Sequence, residues 1–401
     1  MEQVFSTPSR AANGLSRSMA FVMAAAAGVS VANIYYNQPM LGSMVRDFAG
    51  SSVVGFIPTL TLLGYALGLF LLVPLGDVIE RRRLIVTQFL VLAVSLAGVA
   101  AAPNVWVLVV ASIMVGASAT AAQQIVPFAV HLAPAKKRGS VVGTVLAGIL
   151  GGILLSRTLA GFVADYAGWR EMFWLAVPLA VVAGLTMWVT LPHSKPDTQM
   201  RYGQLLRSLA GLWGDLVELR FAALTQALLF ASFSAFWTIL ALLLEQPAYN
   251  MGAADAGLFG IVGLVGVLAA PVAGKIADRK GPHRIVIAGS VVTLASWVLF
   301  GLLPTIPGLI AGVILLDFGV QSALVSNQHI IYALKPEARA RLNTIFMGSM
   351  FLGGAAGAAL ASAAWVSGGW IMVAGLGVVF SVLAIGTQLR VLSVRSGLVR
   401  G

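Results

Sequence analysis

GKIADRKGPHR, residues 274–284, gathers charge, glycine and proline between two long apolar runs, and a rougher copy, VPLGDVIERRR, stands at residues 73–83. Each copy sets an aspartate at the end of an apolar run, Asp77 in the first and Asp278 in the second. A second pair of echoes points the same way. HLAPAKKRGSVVGTVLAGILGG (131–152) corresponds to ALKPEARARLNTIFMGSMFLGG (333–354), aligning Pro134 with Pro336 and one Gly-Gly pair with the other. The chain reads as an internal duplication.

What is duplicated follows from composition. Of the 401 residues 59% are hydrophobic and 10% charged, and the mean hydropathy is +0.93. Soluble domains carry roughly 25% charged residues, so this is a membrane protein. A helix needs about 20 mostly apolar residues to cross hydrocarbon. Twelve runs fit: 18–45, 53–76, 84–102, 105–132, 141–165, 171–191, 221–246, 256–277, 285–303, 306–332, 342–366 and 369–389. Unbroken runs of this length exclude a β-barrel, whose strands are short and alternating. The fold class expected is all-α, with twelve transmembrane helices in two pseudo-symmetric six-helix bundles. Duplicated even bundles are the raw material of alternating-access transporters.

The longest polar interruption, 192–220, divides the runs six and six. The expected organisation is a cytoplasmic segment 1–17, a six-helix bundle 18–191, a linker 192–220, a second bundle 221–389 and a cytoplasmic tail 390–401. Within the linker Leu205, Leu206, Leu209, Leu212, Trp213 and Leu216 recur at helical spacing, which predicts an amphipathic interfacial helix. MAFVMAAAAGVSV (19–31) resembles a signal peptide, but it runs on into Ala32 and Ile34 and reads as an uncleaved first span.

The net charge of +11 does not imply nucleic acid, because the basic residues are scattered among loops. With a cytoplasmic N-terminus, 22 of the 25 Lys and Arg residues fall on the inner side, and only Arg46, Arg157 and Arg170 do not. The positive-inside rule therefore predicts both termini in the cytoplasm. With no cysteine, no HExxH and no phosphate-cradling loop, the chain offers no basis for a metal, a cofactor or an enzyme activity.

At the duplicated phrase the chain resembles the major facilitator superfamily, whose loop motif reads Gly-x-Leu-Ala-Asp-Arg-x-Gly-Arg-Arg or Lys. The second copy matches at Gly274, Ala277, Asp278, Arg279 and Gly281, with Ile276 for Leu. The first matches at Leu75, Asp77, Arg81 and Arg82. The resemblance implies that Asp77, Arg81, Gly274, Asp278, Arg279 and Gly281 belong to a gate holding the cytoplasmic side closed. A carboxylate against a helix N-terminus and arginines against carboxylates would supply the latch. It also implies that spans one, four, seven and ten line a cavity while two, five, eight and eleven form the interface between halves. NIYYNQPML (33–41), LDFGVQ (316–321) and NQHIIYALKPEARARLNT (327–344) are similar to the bacterial twelve-helix drug:proton antiporter branch. In span five the branch's Gly-Pro-x-x-Gly-Gly signature has its nearest counterpart in SRTLAG (156–161), with Arg157 in place of proline.

Two ionisable residues fall deep inside spans, where a charge costs about 2.5–3.5 kcal/mol on the lenient insertion scale. Arg157 lies roughly 12 Å from the end of span five and Asp317 roughly 16 Å into span ten. Asp317 is expected to carry the coupling proton, with Arg157 pairing with it or with an anionic substrate. A static ion pair that fixes packing is the structural alternative. Asn33, Tyr36 and Asn37, at i, i+3 and i+4, would share one face of a continuous span one. They suit substrate contact and inter-helix bonding equally. Gln123, Gln124, Phe233, Trp237 and Gln321 are further candidates for substrate binding. Gly148–Gly152 and Gly353–Gly357 read as close-packing pairs.

The function expected is proton-coupled efflux of small organic molecules by a monomer in the bacterial inner membrane, with the substrate, protons and the lipid bilayer as its partners. The rivals are a proton-coupled importer of an organic anion or nutrient, and a non-transporting receptor or intramembrane enzyme.

Overall fold

The computed structural model describes residues 16–49, 51–194, 200–267 and 281–398, and contains helices and turns but no strand among them. Hydrocarbon offers no water to the backbone, so each N–H and C=O must be met inside its own helix or by a neighbouring one. Span one is built from α1 (Arg17–Ala32) and α2 (Asn37–Asp47). Spans two and three are α3 (Ile57–Leu75) and α4 (Arg81–Ala100). Span four is built from α5 (Val105–Ser118) and α6 (Ala121–Leu132), and spans five and six are α7 (Arg138–Tyr166) and α8 (Trp169–Thr190). After the linker helix α9 (Tyr202–Asp215) come α10 (Val217–Leu244), α11 (Ala253–Val267), α12 (Pro282–Leu302) and α13 (Ile306–Leu334), which are spans seven to ten. The last helix, α14 (Arg339–Leu398), is interrupted at Gly368 and Gly369 and supplies spans eleven and twelve. Gly369 takes φ 60°, a left-handed conformation that costs glycine little and so permits the break.

Ten of these helical runs are long and apolar enough to cross a membrane, the last of them counting twice, and α11 is a shorter apolar helix. Twelve crossings result. Successive spans alternate in direction, which gives the molecule two ends. The terminal face carries the connections at 76–80, 133–137, 191–216 and 335–338, and the far face those at 48–56, 101–104, 167–168, 245–252, 303–305 and 368–369.

The two halves are assembled alike. In the first, a carbon placed on Gly148 or Gly152 of span five would come within 2.2–2.3 Å of the Ala24 or Gly28 carbonyl of span one. In the second, Gly353 and Gly357 of span eleven stand as close to the Ala227 and Ala231 carbonyls of span seven. The glycine pairs therefore bind helices within each half, where backbones approach closely.

Helix α9 has its expected apolar face, but that face is covered by protein. Leu205, Leu209 and Leu212 are buried, and Leu209 and Leu212 join a cluster with Leu219, Ile331, Leu342 and Phe346 of spans seven, ten and eleven. Tyr202 donates a 2.8 Å hydrogen bond to the Leu71 carbonyl of span two, so the linker helix touches both halves.

Candidate functional site

Spans one and four are both broken near their middles. Pro39 has no N–H with which to bond the Tyr35 carbonyl, and the helix tightens through Asn33–Tyr36, where i→i−3 bonds replace α-helical ones. The Tyr35 carbonyl instead accepts from the Gln38 N–H at 3.3 Å. In span four the break at Ala119–Thr120 leaves the Ala119 carbonyl to accept from the Ser30 hydroxyl at 2.7 Å. Discontinuous helices are characteristic of transporter binding sites.

The break in span one sets the site's register. Tyr35 and Gln38, rather than Tyr36 and Asn37, turn toward Arg157 of span five. Arg157 is 3% exposed, donates from Nε to Gln38 Oε1 at 2.9 Å, and lies 4.6 Å from the Tyr35 ring centroid. From the other half, Trp237 and Phe233 of span seven bring their rings to 4.1 Å and 5.9 Å of the guanidinium carbon. Rings around a desolvated guanidinium contribute about 2 kcal/mol or more each in favourable cases. That helps to explain how a charge can remain inside an apolar bundle. Arg157 Nη2 and Trp237 Nε1 are both buried with no hydrogen-bond partner among the described residues.

Asp317 of span ten is 5% exposed and makes neither a hydrogen bond nor a salt bridge among the described residues. Its charge and that of Arg157 interact without direct contact. Both side chains rest on span eight. A carbon added to Gly260 would stand 3.1 Å from Arg157 Cβ, and one added to Gly263 would stand 2.6 Å from Asp317 Oδ2. The absence of side chains on this face of span eight makes room for both.

The other sequence candidates disperse. Asn33 donates to the Val29 carbonyl of its own helix at 2.6 Å, and Asn37 donates to Thr61 of span two at 2.9 Å. Tyr36 packs edge-on against Phe173 of span six. The three side chains meet different neighbours, because the tightened turn between Asn33 and Asn37 departs from a uniform 3.6-residue period. Gln123 donates to the Tyr65 hydroxyl at 3.1 Å, and Gln124 closes the end of span two by donating to the Leu72 and Val73 carbonyls. Gln321 is partly buried on span ten without a hydrogen bond among the described residues. Tyr35 and Gln38 were absent from the sequence candidates, although Pro39 was the available signal.

Of the gate candidates, Gly274, Asp278 and Arg279 lie outside the described residues. Gly281 takes φ 86° immediately before span nine. Asp77 accepts from Arg81 Nη2 at 3.0 Å, a pair within its own half. Around it the terminal face holds a cavity of about 410 Å³. Asp77, Arg81, Gln123 and Gln124 line it from the first half, Leu205 and Leu209 from α9, and Tyr332, Arg339, Asn343 and Thr344 from the second. The far face is closed. Arg46 meets Glu245 of the other half at 2.5 Å, Ser362 donates to the Gly55 carbonyl, and Asp165 of span five accepts from two backbone N–H groups of span eight.

The model for the Major Facilitator Superfamily matches residues 21–292 and 222–395. The chain belongs to the major facilitator superfamily. Among its relatives within that superfamily is the uncharacterized transporter YgaY of Escherichia coli O157:H7, 41% identical over 347 residues, which cover 86% of this chain and 88% of YgaY. The probable transporter SCO4007 of Streptomyces coelicolor is 35% identical over 340 residues, covering 83% and 78% of the two chains. The major facilitator fold is seen again in the crystal structure of a bacterial homolog of the human lysosomal transporter Spinster in its inward-facing, unoccupied conformation. That structure superposes with a TM-score of 0.74 at 13% identity, covering 93% of this chain and 96% of the other. The protein is thus a membrane transporter of the major facilitator type.

Proposed function

We propose that the chain is a proton-coupled secondary transporter that exports small organic molecules by alternating access, with Asp317 as the proton carrier. The observation that carries this reading is the state of Asp317, which is buried, lies against the same glycine face of span eight as Arg157 and has no hydrogen bond among the described residues. A carboxylate so placed gains most from exchanging a proton for a polar or cationic substrate group. Competition between proton and substrate for one carboxylate is the chemistry of antiport. The resemblance of residues 33–41, 316–321 and 327–344 to the drug:proton antiporter branch supports the direction. Basic residues concentrated at the terminal face support a cytoplasmic location for both termini, and the bacterial relatives support the inner membrane. In that orientation the closed far face and the terminal cavity correspond to an inward-facing state.

A second reading, import of an organic anion with a proton, is favoured by one specific feature. Arg157 Nη2 and Trp237 Nε1 are two buried donors without partners, and together they suit a carboxylate. A thermal-shift screen of cationic, neutral and anionic small molecules against the solubilised protein supplies a ligand, whose transport is then followed in everted vesicles. Export predicts that an acid-inside gradient drives the ligand into the lumen, and that Asp317→Asn abolishes this accumulation. Full gradient-driven uptake by Asp317→Asn would remove Asp317 from the mechanism. Ligands confined to anions, with binding lost in Arg157→Ala and kept in Asp317→Asn, would select the second reading.

A further inference from the structure

The far-face closure has one component that sequence reasoning did not find. Asp165 ends span five of the first half, and its two carboxylate oxygens accept hydrogen bonds from the first N–H groups of span eight in the second half. Ala253 donates to Oδ1 at 3.0 Å and Ala254 to Oδ2 at 2.7 Å. These N–H groups belong to the first turn of a helix, which has no partners for them and carries the positive end of the helix dipole. Asp255 in the same turn is directed elsewhere, accepting from the Gly252 N–H at 3.0 Å.

From that point the two spans stay in contact down to the charged site. A carbon added to Gly161 would lie 2.2 Å from the Ala253 carbonyl, and Thr158 Oγ1 donates to the Gly257 carbonyl at 3.1 Å. One helical turn on, Gly260 covers Arg157, and the next turn brings Gly263 to Asp317. The latch, the seam and the two buried charges therefore lie in series along one helix pair.

We propose that Asp165 is the positioning residue of the far-side gate. By holding the first turn of span eight it keeps the glycine face of that helix over Arg157 and Asp317. Its release is the step that opens both charges to the far side while the terminal face closes. This goes beyond the proton-coupled reading and does not depend on the substrate or on the direction of transport.

The natural chain has no cysteine, so labels can be introduced singly and in pairs without background. Spin labels on Ala101→Cys and Val366→Cys report the far face across the halves, and labels on Lys137→Cys and Glu337→Cys report the terminal face. In lipid nanodiscs Asp165→Asn, which loses one of the two acceptor oxygens and the charge at the helix start, should raise the ratio of far-open to far-closed molecules roughly fivefold. The terminal-face distance should shorten in the same proportion, and Asp165→Glu should restore the wild-type distributions. Far-face distances in Asp165→Asn identical to wild type would overturn the proposal. So would far-face widening without terminal-face closure, which would mean that the carboxylate only pins a loose helix end. Because Asp165 is exposed, its replacement leaves the core intact.

Discussion

The two seams between the halves use similar chemistry to opposite effect. Where span five meets span eight at the far face, the carboxylate of Asp165 crosses to the other half and bonds its backbone. Where span two approaches span eleven at the terminal face, the carboxylate of Asp77 turns back to Arg81 four residues on, and a cavity of about 410 Å³ separates the halves. Each aspartate stands at the end of a helix, and the cavity beside Asp77 is lined from the opposite half by Arg339, Asn343 and Thr344 at the start of span eleven. The difference teaches that the partner, not the residue type, distinguishes a closed seam from an open one. Under the alternating access proposed above, the two aspartates exchange roles, one engaged across the seam while the other is satisfied within its own half.

The largest effect is expected at the two buried charges to which the far seam leads. Arg157→Ala should cost about 2 kcal/mol or more, because it takes the guanidinium from between the Tyr35 and Trp237 rings and removes the positive charge that offsets Asp317. Thermal unfolding in detergent would show this, and Asp317→Asn added to Arg157→Ala should recover much of the loss. If the double variant is less stable than the single, the two charges are independent. Next in size is the fit of the far seam. Gly161→Ala should disfavour the far-closed state by about 1–3 kcal/mol through overpacking, since its new carbon would meet the Ala253 carbonyl. Gly143→Ala, with open space around it, should be neutral or stabilising by up to about 1 kcal/mol. Equal responses from these two glycines in far-face distance measurements would count against a tight seam.

Smaller again is Asp77→Asn. It should disfavour terminal-face closure by about 1 kcal/mol, lengthening the terminal-face distances and shortening the far-face ones in the same proportion. The smallest effect is expected from Glu245→Gln. The Arg46 side chain is 65% exposed, and an ion pair of that kind contributes about 0–1 kcal/mol. A larger shift from Glu245→Gln than from Asp165→Asn would move the far latch from Asp165 to the Arg46 pair.

Much of this was legible in the sequence, for reasons that differ between fold and site. Apolar runs bounded by charge fix spanning helices because hydrocarbon permits little else, and the duplicated phrases around Asp77 and Asp278 revealed the two halves. Arg157 and Asp317 could be singled out because an intramembrane charge is costly, and Phe233 and Trp237 because aromatic residues at helical spacing faced the cavity by analogy. Tyr35 and Gln38 escape a spacing argument that assumes a uniform helix, because the tightened turn before Pro39 changes which side chains share a face. Asp165 was invisible for another reason. Its partners are backbone N–H groups of a distant helix, which have no signature in a string of side chains, and a carboxylate at a helix end reads as ordinary interfacial charge.

The proposals for Asp317 and Asp165 meet in one expectation, that the protonation of Asp317 biases which seam is closed. The most direct measurement is the pair of spin-label distances, one on each face, recorded in acidic and in alkaline buffer for the wild type and for Asp317→Asn. The account predicts reciprocal shifts at the two faces of the wild type and a single pH-independent distribution for Asp317→Asn. A variant that responds to pH as the wild type does would contradict it.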